Sequence, residues 1–123
     1  MLHDKVSIVV PAYNESSRID HSLRIILRSI ARFAPNNEII LVDDGSDDDT
    51  WRKAAAVERS EAGNIHILRY ERNLGKGHAL AHGTRHATGE YVVFIDADLD
   101  LHPDQIPRFF DRMFSSHADA VVG

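Results

Sequence analysis

The sequence predicts an α/β domain with a doubly wound, mainly parallel sheet, in the order β-α-β-α-β-α-β-α-β. Three observations predict it. Short runs rich in Val and Ile alternate with amphipathic stretches along the chain. The runs are mostly continuous, the pattern of strands covered on both faces. The loops that carry unusual residues all follow strands, where open α/β sheets hold their ligands. The 123 residues suit one unit, with no repeat, low-complexity tract or linker.

The elements follow in order. Residues 6–10 form the first strand. Leu23, Ile26, Leu27 and Ile30 recur at helical spacing, with Arg24, Arg28 and Arg32 on another, solvated face. Pro35-Asn36-Asn37 stops that helix. Residues 39–42 form the second strand. An Ala-rich helix spans 50–61, with possible caps from Ser46 to Asp49 before it and Gly63-Asn64 as its stop signal. The third strand is 65–68. The small residues Ala79, Ala81, Gly83 and Ala87 mark a third helix, and 91–95 a fourth strand. Ile106, Phe109, Phe110 and Met113 make the apolar stripe of a fourth helix, opened by Pro103 or Pro107. Residues 120–122 read as a fifth strand, whose open edge would invite pairing of chains.

Composition narrows the function. Cysteine is absent, which excludes a disulfide scaffold and thiolate metal centres. A net charge of -5 leaves no overall basic footprint for nucleic acid. No apolar run reaches the length of a membrane span, and the first residues lack a signal peptide's apolar stretch. A cytoplasmic protein is expected. The acidic residues cluster in two windows: Asp43, Asp44, Asp47, Asp48 and Asp49, then Asp96, Asp98, Asp100 and Asp104. Carboxylates this close need a cation, a basic partner or full solvation.

Three loops follow the first, second and fourth strands: Pro11-Ala12-Tyr13-Asn14-Glu15, Asp43-Asp44-Gly45-Ser46-Asp47 and Asp96-Ala97-Asp98. A parallel sheet would gather them on one rim. Alternate residues of an extended segment point the same way, so Asp96, Asp98 and Asp100 would offer oxygens to one hard cation, Mg²⁺ or Mn²⁺. Such a cation completes its shell with water and phosphates and neutralises charge on a departing diphosphate. The plainer reading is a strand end, with Asp100 or Asp104 opening the next helix. A turn and the helix dipole account for Asp47, Asp48 and Asp49. They do not account for Asp43 and Asp44, whose carboxylates can accept from a base N–H or from ribose hydroxyls.

Arg72-Asn73-Leu74-Gly75-Lys76-Gly77 leads into the third helix, where a phosphate is favoured and Lys76 adds charge. It lacks the glycines of a dinucleotide fingerprint or a P-loop, and alone reads as a tight loop. His78, His82 and His86 are spaced four apart; without a supporting carboxylate they read as a solvated stripe and receive no ligand role.

In order and spacing, Val9-Val10-Pro11-Ala12-Tyr13-Asn14-Glu15, Val42-Asp43-Asp44-Gly45-Ser46-Asp47-Asp48-Asp49-Thr50, Asn73-Leu74-Gly75-Lys76-Gly77 and Asp96-Ala97-Asp98 resemble glycosyltransferase family 2. The likeness is nearest to the polyprenyl-phosphate (dolichyl-phosphate) hexosyltransferases. It implies a GT-A fold and inverting transfer from a nucleotide-diphosphate sugar such as a UDP- or GDP-sugar. By that resemblance Pro11, Ala12, Tyr13 and Glu15 contact the nucleoside. Asp44 binds the base or ribose, with Asp43 beside it. Lys76 lies near the nucleotide. Asp96 faces the ribose or the metal, Ala97 lies at the nucleotide, and Asp98 holds Mg²⁺ or Mn²⁺. The polyprenyl-phosphate branch often has Gln where this chain has Asp100. The resemblance also implies that residues 1–123 are the donor-binding part, with the acceptor-binding half and any catalytic base beyond residue 123. The full-length protein would then work in the cytoplasm or at the cytoplasmic face of a membrane.

Three alternatives compete. A nucleotidyltransferase would carry a glycine-rich basic loop after the first strand, and Pro11-Ala12-Tyr13-Asn14-Glu15 is neither. A donor-binding module without transferase activity keeps the same residues. A phosphoacceptor receiver domain would place its acid pair after the first strand, and here the pair follows the second.

Overall fold

A computed structural model describes residues 1–61 and 64–122. The chain runs β1 (Val6–Ala12), α1 (Ile19–Phe33), β2 (Asn37–Asp44), α2 (Thr50–Ser60), β3 (Ile65–Tyr70), α3 (Lys76–His86), β4 (Tyr91–Phe94), a single 3-10 turn (Pro103–Gln105) and α4 (Ile106–Ser116). All strand pairs are parallel, in the order β3-β2-β1-β4. The α/β class and the parallel sheet are as expected. Strand order reverses between β1 and β4, and such a reversal opens a crevice beyond the carboxyl ends.

The central strands explain the core. Val6, Ile8, Val10, Ile39 and Leu41 point to one face, where Leu23, Ile26 and Ile30 of α1, Ala54 and Val57 of α2, and Ile106 and Phe110 of α4 meet them. Val9, Ile40 and Val42 point to the other face and meet Ala79 of α3. Gly83 lets α3 sit that close: a Cβ there would lie 2.5 Å from the Val9 side chain.

The amino ends of the strands are pinned by a buried carboxylate. Glu38 accepts from Ser7 Oγ at 2.6 Å and from Thr88 N at 2.7 Å, and Gly89 N donates to Ser7 Oγ at 2.8 Å. Burial works against its ionisation. The bonds from Ser7 and Thr88 and the charge of Lys5 outweigh that and hold its pKa below the usual value.

Several expectations need correction. Residues 120–122 form no fifth strand; Val122 is 94% exposed. A run of three gains too few ladder bonds and buries too little apolar surface to dock, so the chain pairing expected through that edge loses its strand. The run at 91–95 is not covered on both faces. Val92 and Phe94 are 37% and 49% exposed, because the helix on their side packs over β1 and β2 instead. The stop signal Gly63 lies outside the described residues; α2 ends at Ser60.

Candidate functional site

The loops after β1 and β2 are laced into one rim. Asn14 adopts a left-handed conformation, φ 53°. Its amide donates to Ser46 Oγ at 2.9 Å, and its side-chain oxygen accepts from Asp47 N at 2.9 Å. Glu15 N donates to Thr50 Oγ1 at 2.8 Å, and Ser16 N to Asp48 Oδ2 at 3.2 Å. Asp48 also accepts from Thr50 at the start of α2. Slight burial opposes ionisation, but these bonds lower its pKa to about 2.

The paired acids at the end of β2 do different things. Asp43 is fully buried and off the rim. Its Oδ1 accepts from Ser46 N at 3.1 Å, closing the turn, and Arg69 Nε lies 3.7 Å from its Oδ2. Among the described residues that Oδ2 has no hydrogen-bond partner. Asp44, 3% exposed, reaches across to the loop before α3. Its Oδ1 accepts from Leu74 N at 2.8 Å; its Oδ2 accepts from Gly75 N at 3.0 Å and Asn73 Nδ2 at 3.1 Å. Gly45, φ 70°, passes so tightly beneath this loop that a Cβ would lie 2.3 Å from the Arg72 carbonyl carbon.

The segment after β4 is a turn, not an extended strand. Leu99 N donates to Asp96 O at 3.0 Å, and Leu99 takes φ 57°. Buried Ser22 of α1 holds the turn by donating to Ala97 O at 2.6 Å. Asp98 Oδ1 accepts from Asp100 N at 3.0 Å. Lys76 Nζ lies 2.7 Å from Asp96 Oδ1.

These loops enclose a cleft of about 370 Å³ at the β1–β4 crevice. Pro11, Ala12, Tyr13 and Glu15 line it from β1 and its loop, Asp44 from β2, Lys76 from α3, and Asp96, Ala97 and Asp98 from the β4 turn. The structure thus brings together all but two of the expected residues. Asp43 sits behind the cleft. Asp100 is off its lining, because the turn at 97–98 breaks the alternation that would have aligned three carboxylates. Among the described residues no three metal-ligating side chains converge. Asp96 and Asp98 still suit a hard cation that takes one or two carboxylates and completes its shell with phosphates and water. The ammonium of Lys76 pairs with Asp96, so a cation there would share that carboxylate with Lys76. Asn73 and Gly75 also line the cleft, and Ser22 supports it; the sequence reading assigned none of them a ligand role.

The histidine row lies along α3 beside Tyr70, with ring centres 6.2 Å apart for His78 and His82 and 4.9 Å for His82 and His86. Burial, then the neighbouring charges of His86, Arg85 and His78, push the His82 pKa down. Among the described residues no helix is long and apolar enough to cross a membrane.

Comparison with known proteins shows the family and the fold. Residues 7–123 match the profile of glycosyl transferase family 2. The chain is 35% identical over 108 residues to an undecaprenyl-phosphate 4-deoxy-4-formamido-L-arabinose transferase of Klebsiella pneumoniae (strain 342), covering 88% of this chain and 33% of the relative. The transferase of the same name in Sodalis glossinidius (strain morsitans) is 38% identical, with the same coverage. The chain therefore spans about a third of the length of these relatives. Among solved structures, a mannosyltransferase of Pyrobaculum calidifontis in complex with GDP-Man and Mn²⁺ superposes with a TM-score of 0.79. It is 28% identical, over 91% of this chain and 33% of that one. Glucosyl-3-phosphoglycerate synthase of Mycobacterium tuberculosis with UDP gives 0.66 at 30% identity, over 91% and 40%.

Proposed function

The chain belongs to glycosyltransferase family 2, with the GT-A fold, and from that premise we propose that its cleft binds a nucleotide-diphosphate sugar as the donor of a hexosyl group. The observation that carries this reading is the assembly of Pro11, Ala12, Tyr13, Glu15, Asp44, Lys76 and the turn at 96–98 around one cleft at the strand-order reversal. Tyr13, 43% exposed, offers an aromatic face to the base, and Pro11, Ala12 and Glu15 wall the nucleoside end. Lys76 supplies charge at the diphosphate end.

Asp98 and Asp96 fit a divalent cation, Mg²⁺ or Mn²⁺. When bound, it supplies positive charge to the diphosphate as that group departs. Lys76 shares in that stabilisation by approaching the same oxygens. The acceptor we propose for the whole protein is a polyprenyl phosphate, consistent with the curated relatives' printed substrate. A phosphate oxygen of the acceptor forms a bond to the anomeric carbon from the face opposite the diphosphate. The carbon–oxygen bond to the diphosphate breaks, and its electron pair leaves with that group, inverting the centre. The acceptor is already anionic, so no proton has to be removed first. Such an acceptor is compatible with work at a membrane face, and we place it on the cytoplasmic side.

Donor binding is the property proposed for residues 1–123 themselves. Thermal-shift measurements with UDP- and GDP-sugars, with and without Mn²⁺, test it. Stabilisation by one nucleotide class, enhanced by Mn²⁺, is expected; no response to any nucleotide sugar refutes the reading. Asp98→Ala should abolish the Mn²⁺-dependent part of the shift, and an unchanged shift refutes the metal role. The alternative of a binding module without transfer shares the first result and differs only in sugar transfer by the protein as a whole.

A further inference from the structure

We propose that His82 and His86 form a second metal site, apart from the cleft, that takes a borderline divalent transition ion such as Ni²⁺ or Zn²⁺. The proposal stands independently of the donor-site reading.

Spacing and ring geometry single out this pair. Residues four apart on a helix are neighbours on one face, and both histidines lie on α3. Their ring centres are 4.9 Å apart and the ring planes are inclined at 59°. An ion about 2.0–2.1 Å from one nitrogen of each ring keeps the ring centres about 5 Å apart. Nitrogen lone pairs lie in the ring planes, so inclined planes can meet at one ion. The rings of His78 and His82 are 6.2 Å apart and only 16° from parallel, and near-parallel planes share no such point. Among the described residues no three ligating side chains converge, so water completes the shell.

The surroundings prepare the pair. His86 Nδ1 lies 3.0 Å from the His82 carbonyl oxygen. Only a protonated nitrogen can donate to a carbonyl, which leaves the lone pair of Nε2 free for an ion. Metal-binding imidazoles are commonly oriented this way through their other nitrogen. The main-chain carbonyl thus does what the missing carboxylate would have done. His86 is also the last residue of α3, where the helix dipole favours a cation. Arg85 Nη2 lies 3.4 Å from His82 Nδ1, a long contact on an exposed side chain that gives way to an ion. Imidazole suits Zn²⁺, Ni²⁺ and Cu²⁺, whereas the carboxylates of the cleft suit Mg²⁺ or Mn²⁺. Lys76 and His86 are the two ends of α3, about 15 Å apart along its axis, so the two sites are distinct.

Calorimetric titration of the tag-free protein with NiCl₂ and ZnCl₂ tests the assignment. The wild type should bind one ion per chain. His82→Gln and His86→Gln should each weaken binding by about tenfold or more, and His78→Gln by less than about twofold, because only the first two lose the intramolecular second ligand. Asp98→Ala should leave Ni²⁺ binding unchanged. A wild type that binds neither ion overturns the proposal. So does a loss with His78→Gln as large as with His86→Gln, or a loss with Asp98→Ala, which would put the ion in the cleft. None of these four side chains is buried, so the variants should keep the fold. Imidazole NMR signals of the wild type give a second reading. Shifts on adding Zn²⁺ should concentrate at His82 and His86 among the eight histidines. Shifts spread evenly over all of them mean loose surface binding and overturn the proposal.

Discussion

Alanine at three glycines separates backbone strain from steric clash around the cleft. At Gly45 both operate: φ is 70°, and a Cβ would lie 2.3 Å from the Arg72 carbonyl carbon and 2.5 Å from Asn73 N. Left-handed backbone costs an L-residue about 1–2 kcal/mol, and overpacking costs about 1–3 kcal/mol more. The clashing atoms are backbone, so no rotamer change relieves them. Gly45→Ala should therefore cost about 2–5 kcal/mol, a large part of the roughly 5–15 kcal/mol that holds a domain together. At Gly75, φ is 99° but a Cβ would meet nothing within 4 Å. Only conformational strain remains, about 1–3 kcal/mol. Gly77 is the second residue of α3, in its first turn, with open space around it. Alanine there should stabilise through helix propensity by at most about 0.5–1 kcal/mol, the value for a helix interior. Urea unfolding midpoints, compared at constant slope, measure all three. Gly45→Ala no worse than Gly75→Ala refutes the tight crossing of the two loops. Destabilisation by Gly77→Ala refutes the reasoning for the helix start.

Other outcomes follow from single contacts. Ser22→Ala strands the buried Ala97 carbonyl at a cost of about 1–3 kcal/mol and should weaken Mn²⁺ binding in the presence of nucleotide; calorimetry showing unchanged affinity refutes the support role. Glu38 has a folded pKa below its ordinary 4.5, so its contribution is complete above that value and fades as pH falls through the folded pKa. Glu38→Gln should be less stable than wild type in urea at pH 7, and the gap should narrow on acidification below about pH 4.5. Asp48 works in the same sense, its contribution fading between 3.8 and about 2. A gap for Asp48→Asn that is undiminished at pH 2 refutes that assignment.

The parts of the fold legible in the sequence are those decided by local pattern. The apolar runs of β1 and β2 are fully covered, as continuous runs suggest. The exposure of Val92 and Phe94 was not legible, because it depends on where α3 lands. The cleft itself was readable as three loops on one rim. The fate of Asp100 was not, since it turns on Leu99 adopting φ 57°. Asp43 and Asp44 are adjacent letters with opposite surroundings, because neighbouring residues of a strand face opposite sides of the sheet. Ser22 and Asn73 act through contacts 75 and 29 positions away, which no local pattern encodes.

The place of β4 beside β1 has a kinetic consequence. Its contacts join residues far apart in the chain: Gly89 bonds Ser7 across 82 positions, and Ser22 bonds Ala97 across 75. Such long loops are closed late, because their entropy is lost before the contacts they allow are made. Residues 6–70 hold three of the four strands, so β4 and the turn at 96–98 that lines the cleft are expected to dock last. If the cleft takes a nucleotide as proposed, hydrogen exchange at Ile95 and Leu99 should respond to UDP or GDP more than exchange at Ile40.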